Sequence, residues 1–213
     1  MNDCSKSRVF HYLALIGWKK ISNLKLTSNT TIFADSLSLY FLIKLFHGTI
    51  SYLPGAKFLK TVDIQDDKYV ILSPYFLNQF EKEKQYILEA FDGRPYVSEK
   101  LNLWLKQIPI KSVLLLAISS PKQNILANEI AKSFPFEIHC LGAAILEKNT
   151  SKFFLIKSAT GHGVEWFARM LLNPKRFFIK TSLILREVAA LAFSSQLRKD
   201  FEAFAKENNN EHS

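Results

Sequence analysis

Glycine and proline are scarce in this sequence, at seven each in 213 residues, which excludes a collagen-like or a Pro/Gly-rich disordered chain. Cysteine is scarcer still. Cys4 sits in a polar stretch and Cys140 in an apolar run, so no disulfide framework is expected and a reducing, cytoplasmic setting is the plain reading. No His/Cys cluster has zinc spacing, and no glycine-rich loop of the Walker or dinucleotide-binding type occurs. There is no internal repeat and no long low-complexity segment. Two apolar stretches invite a membrane reading and neither satisfies it. Val9 to Trp18 is too short for a span and is followed by Lys19-Lys20 rather than a small-residue cleavage site, so it reads as a buried or surface-lying helix. The stretch after Pro174 carries Lys180, Arg186 and Glu187.

What the chain does have is apolar mass and positive charge. It is 48% hydrophobic with 18 phenylalanines, enough for one sizeable domain with a real core. The 28 basic and 19 acidic residues leave a net charge of +9, which suits an anionic partner: a nucleic acid, a phosphorylated ligand or an anionic membrane face. The cations are spread thinly among Phe and Leu, which speaks against nucleic acid.

Strand-like and helix-like patterns alternate. Thr30 to Ala34, Thr49 to Leu53, Tyr69 to Leu72, Val113 to Ile118 and Phe136 to Leu141 read as strands. Ser36 to Phe46, Leu77 to Phe91, Ser98 to Ile108 and Pro121 to Phe134 read as helices. Strand, helix, strand in this order argues for an α/β fold with a mostly parallel sheet flanked by helices. Residues 1–160 form the expected α/β core and 161–207 a helical C-terminal appendage, with a frayed tail over 208–213.

In such folds ligands bind beyond the carboxyl ends of the strands. Two loops hold that position, Ala34-Asp35-Ser36 and Ser119-Ser120-Pro121-Lys122-Gln123-Asn124. For Asp35 two readings stand: an N-cap of the following helix, or a carboxylate aimed into the strand-end crevice as a general base. The second loop offers helix amides, a lysine and a carboxamide, which either cap the helix or hold a phosphate or sugar hydroxyl. His139 and Cys140 fall in an apolar strand and read as packing, and His162 as a surface or capping residue. In G-V-E-W-F-A-R-M-L-L-N-P-K-R, Val164, Phe167, Ala168 and Leu171 share a helix face that Glu165 and Arg169 avoid. The run after Pro174 is apolar almost all round with sparse cations. It fits an interfacial helix, or a helix buried against the domain or a partner subunit.

Two of these stretches carry a family resemblance. Ser120-Pro121-Lys122-Gln123 resembles the G-x-P-K-Q-E loop of the WecG/TagA/CpsF glycosyltransferases, with Asn124 in place of the glutamate. Gly163 to Arg176 resembles their G-L-E-W-x-x-R-L-x-x-E-P-x-R signature. In the same order, Ala34-Asp35-Ser36 resembles their D-G segment and Leu53-Pro54-Gly55-Ala56 their R-V-x-G-x-D segment. The likeness spans roughly residues 30–186. It implies a Rossmann-like core of the GT-E type with a C-terminal appendage that meets the membrane. The implied activity is transfer of a hexosyl or N-acetylmannosaminyl group, with inversion, from a UDP-sugar to a lipid-diphosphate-linked acceptor. Such enzymes act in bacterial cell-surface polysaccharide synthesis, peripheral to the inner face of the cell membrane.

By the same resemblance Asp35 is the base, and Pro121, Lys122 and Gln123 bind substrate, Gln123 helping to position the sugar. Arg169, Arg176 and, less closely matched, Lys180 bind diphosphate. No metal and no cofactor beyond the UDP-sugar are implied. The expected partners are the donor, the lipid-linked acceptor and an anionic membrane surface, without nucleic acid and with a homo-oligomer left open. The alternative is a degenerate relative that binds lipid-linked glycan or scaffolds a biosynthetic complex.

Overall fold

A computed structural model describes residues 7–15, 18–24, 29–46, 48–55, 57–58, 68–72, 82–88, 97–142 and 174–207. Its centre is a seven-stranded sheet in which every neighbouring pair runs parallel. The strands are β1 (Arg8–Leu13), β2 (Thr30–Ala34), β3 (Ser51–Tyr52), β4 (Lys68–Leu72), β5 (Gln85–Ile87), β6 (Val113–Ala117) and β7 (Glu137–Cys140). They lie in the order β3-β2-β1-β7-β6-β4-β5. The helices are α1 (Trp18–Ser22), α2 (Leu37–Leu45), α3 (Glu99–Gln107), α4 (Lys122–Ala131), α5 (Pro174–Phe193) and α6 (Ser195–Glu207).

The two faces of the sheet are chemically different because successive side chains alternate. One face carries Val9, Leu13, Ile32, Ala34, Ile71, Leu114, Leu116 and Ile138, packed under α1 to α4 and α6. The other carries Tyr12, Val70, Leu72, Leu115 and Ala117, joined by Phe10, Phe33 and, from the segment after β3, Leu53 and Phe58.

Two sequence expectations are overturned here. Val9 to Trp18 is not a helix: its first half is β1, placed between β2 and β7, and only Trp18 opens α1. A strand covered on both faces shows no alternation, so its apolar run is indistinguishable from a short buried helix. Leu77 to Phe91 is not one helix either. A 3-10 turn at Lys82–Lys84 leads into β5, an edge strand paired with Val70–Leu72. Its Tyr86 packs against Trp104 of α3 at 5.4 Å between rings, a tertiary contact that outweighs the local helix preference of Glu and Lys.

The C-terminal helices share the core. Phe201 and Phe204 of α6 pack on Trp18, with ring centroids 4.9 and 5.8 Å away, and Leu191 of α5 joins the same cluster. Ala205 lies so close to Gly48 that a Cβ there would come within 2.8 Å of it. Pro174 opens α5 in the first turn, where a missing N–H costs nothing. At the α5–α6 corner Ser194 Oγ accepts from Leu197 N–H, and the Arg198 guanidinium donates to Leu191 O and Ala192 O. A cation on the last carbonyls of α5 is a favourable C-terminal closure. The outward face of α5 stays apolar, with Phe178 and Leu185 each 63% exposed. Among the described residues, no helix is long and apolar enough to cross a membrane.

Candidate functional site

Because every strand runs the same way, all strand tips open on one edge, and both loops singled out in the sequence lie there. The chain leaves β6 toward β7 on one side and leaves β4 toward β5 on the other. That divergence is the crevice where doubly wound sheets bind ligands. The Ser119-to-Gln123 loop stands at its rim. Asp35 lies on the same edge beyond β2. Between β2 and β6 stand β1 and β7, so the two tips are separated by three strand spacings, about 14 Å. They share an edge without sharing a contact.

Asp35 is not the cap of α2. Ser36 is: its Oγ accepts from Leu39 N–H and from Leu15 N–H, both at 3.3 Å. Ser36 is one residue nearer the helix and takes the cap position, leaving the exposed Asp35 carboxylate free to reach sideways. There Oδ1 accepts from Gly55 N–H at 2.8 Å, while Asp35 N–H donates to Leu13 O at 2.7 Å. The residue thus ties the tips of β1 and β2 to the Pro54-Gly55 turn.

In the second loop Pro121 follows a cis peptide and opens α4 without a side-chain cap. Lys122, the first residue of α4, is half-buried. Gln123 points inward. Its Nε2 donates to Cys140 O at 3.2 Å, and its Oε1 accepts from Gly142 N–H at 2.8 Å. Gly142 has φ +57°, a conformation a side chain would strain, and the carboxamide fixes this turn at the end of β7. Both ends of the Gln123 amide are therefore engaged within the fold.

Beside it Asn124 links loop and sheet. Ser120 Oγ–H donates to Asn124 Oδ1 at 3.0 Å, and Asn124 Nδ2 donates to His11 Nδ1 at 2.8 Å. That bond leaves the proton of neutral His11 on Nε2, which is buried with no partner among the described residues. Burial pulls the His11 pKa from 6.5 down to about 4.

A second polar chain crosses the opposite face. Tyr12 Oη is 3.1 Å from His139 Nδ1, and His139 Nε2 is 2.8 Å from Glu137 Oε1. The imidazole is sandwiched between Phe10 and Phe58, with centroids 4.6 and 4.2 Å away. The hydrogen bond from His139 holds the Glu137 carboxyl below its usual range, whereas burial, then Cys140, Glu137 and Asp35, push the Tyr12 phenol up. His139 is thus more than packing. The signal was Glu137-x-His139, two residues apart and therefore on one strand face. His11 and Tyr12 were hidden by the helical reading of β1.

Arg169, Glu165 and His162 lie outside the described residues. Arg176 and Lys180 stand on the first two turns of α5. Among the described residues, no group of three or more His, Cys, Asp or Glu could hold a metal ion. Compared with known proteins, the chain matches no family model, no curated protein and no solved structure.

Proposed function

We propose that this chain is a divergent glycosyltransferase of the WecG/TagA/CpsF type, moving a sugar from a UDP-sugar to a lipid-diphosphate-linked acceptor. The observation that carries the reading is the placement of an exposed carboxylate, Asp35, on the same strand-end edge as the Ser119-to-Gln123 loop at the topological divergence. A UDP-sugar is long enough to bridge tips about 14 Å apart, with the donor at the loop and the acceptor hydroxyl at Asp35. Inverting transfer needs a base at that hydroxyl and cations at the leaving diphosphate. Arg169, Arg176 and Lys180 have the chemistry for the second task, arginine binding diphosphate through paired N–H groups. Gln123 serves here as a positioning residue, shaping the Gly142 turn rather than touching sugar.

The α5 face of Phe178, Ile179, Leu185 and Phe193, with Lys175 and Arg186 beside them, supplies the interfacial surface. It would hold the enzyme at the cytoplasmic face of the membrane, the lipid-linked acceptor alongside. In this reading α5 is the Rossmann-like core's membrane-facing appendage of the GT-E arrangement, and the product enters bacterial cell-surface polysaccharide.

The test is a panel of radiolabelled UDP-sugars with membrane extract as acceptor source. Transfer of one sugar by the wild type and its loss in Asp35→Asn support the assignment, and turnover at the wild-type rate by Asp35→Asn removes Asp35 as base. The engagement of Gln123 favours a second reading, a degenerate relative that binds lipid-linked glycan without transfer. Retention of the glycan with no transfer from any donor decides for it.

A further inference from the structure

The molecule lines up a half-exposed carboxylate, a buried imidazole and a buried phenol across an aromatic face, where apolar side chains would pack at lower cost. Tyr12 and His139 are 5% and 2% exposed, and the Glu137 side chain is 39% exposed. The line therefore has one end in the interior and one end in solvent. Its interior end lies next to the proposed base. Tyr12 pairs with Phe33 across the parallel β1 and β2, and Asp35 follows two residues beyond Phe33, near enough for its charge to be felt at the Tyr12 phenol. Among the described residues, the titratable and charged groups around His139 are Glu137 on β7, Tyr12 and Arg8 on β1 and Asp35 beyond β2, while β6 opposes it with Leu115.

We propose that Tyr12, His139 and Glu137 form a proton outlet for Asp35, with Tyr12 as a positioning residue of that site. In the resting state Tyr12 O–H donates to His139 Nδ1, and His139 Nε2–H donates to Glu137. Once Asp35 has taken a proton, it passes it through one water to the Tyr12 oxygen. Tyr12 gives its own proton to His139 Nδ1, and His139 gives the Nε2 proton to Glu137. Asp35 ends as carboxylate and Glu137 as carboxylic acid. Tyr12 and His139 stay neutral, the imidazole in its other tautomer. Glu137 then releases the proton to solvent. The inference rests on Asp35 acting as a base, but its physical core, coupling of Asp35 to the His139 tautomer, does not need a substrate.

The experiment uses the full chain with 15N-labelled histidine at one neutral pH, as wild type, Asp35→Asn, Tyr12→Phe and the double variant. Asp35→Asn should shift the His139 ring-nitrogen resonances, and in the Tyr12→Phe background the same substitution should leave them unmoved. No shift on Asp35→Asn, or a shift that persists in the Tyr12→Phe background, overturns the proposal. In the sugar-transfer assay Tyr12→Phe should lower kcat by about tenfold with KM unchanged. Wild-type kcat in that variant also overturns it. If the wild type transfers no sugar, the glycosyltransferase reading fails, and the nitrogen comparison alone decides whether the relay exists.

Discussion

Gly55 N–H donates to the Asp35 carboxylate at 2.8 Å, and with the bond from Leu53 N–H to Ala34 O it fastens the turn after β3 to the tip of β2. The turn in turn presents Phe58, whose ring stacks on His139. Asp35, which does not cap α2, is thus a clamp between β2 and the turn after β3.

The clamp and the base can be separated by two substitutions. Asp35→Ala removes the acceptor and is expected to destabilise the fold by about 1–2 kcal/mol, the bond being partly exposed. Asp35→Asn keeps an oxygen acceptor and should stay within about 0.5 kcal/mol of wild type while lowering sugar transfer by at least about a hundredfold. Urea unfolding beside the transfer assay distinguishes the two effects.

Gln123→Leu should act on stability before it acts on chemistry. It leaves the buried Cys140 O without this donor and removes one of two acceptors of Gly142 N–H, the other being Leu116 O. A loss of about 2–3 kcal/mol is expected, seen as a Tm lowered by about 5–10 °C in calorimetry. An unchanged Tm with a raised KM for the donor would return Gln123 to a sugar-binding role.

The stability of the fold should fall on mild acidification because of His11. Its folded pKa of about 4 lies below the unfolded 6.5. Above pH 6.5 neither state binds the proton and the contribution is intact. Between pH 6.5 and 4 the unfolded chain binds the proton and the native protein does not, so stability drops as pH falls, by roughly 3 kcal/mol in all. Glu137, with its lowered pKa, adds a loss in the same direction only below its ordinary 4.5. Urea midpoints at pH 7 and pH 5 measure the His11 part, and His11→Gln should flatten it.

The two sides of the C-terminal helix pair should respond oppositely. Phe201→Ala opens a cavity beside Trp18 and Phe46 and is expected to cost about 3–5 kcal/mol. Leu185→Ser on the exposed face of α5 should leave the unfolding midpoint within about 0.5 kcal/mol of wild type but weaken flotation with anionic vesicles. Equal flotation of Leu185→Ser and Phe178→Ser with wild type would remove α5 as the membrane-facing surface.

The strand and helix pattern was largely legible where it was covered on one side or punctuated. Ser98 caps α3 through Leu101 N–H as its position announces, and Val113 to Ala117 is the buried strand its unbroken apolar run implies. β1 and β5 were misread because their identity comes from neighbours remote in sequence, β7 for the one and β4 for the other. The edge placement of Asp35 and the second loop was legible from strand-end logic. The Ser36 cap, the inward turn of Gln123 and the Tyr12–His139–Glu137 line were not, because each depends on which way a side chain leaves the sheet.

The insertion of β1 between β2 and β7 has a consequence for synthesis. Val9 pairs with Thr30 on one side and with Ile138 on the other, a partner more than a hundred residues downstream. At about 5–20 residues per second, the growing polypeptide carries this open edge for roughly ten seconds on the ribosome. Aromatic closure by α6 onto Trp18 comes later still. The yield of the nascent chain should therefore depend on holding factors more than the finished protein's endurance would suggest.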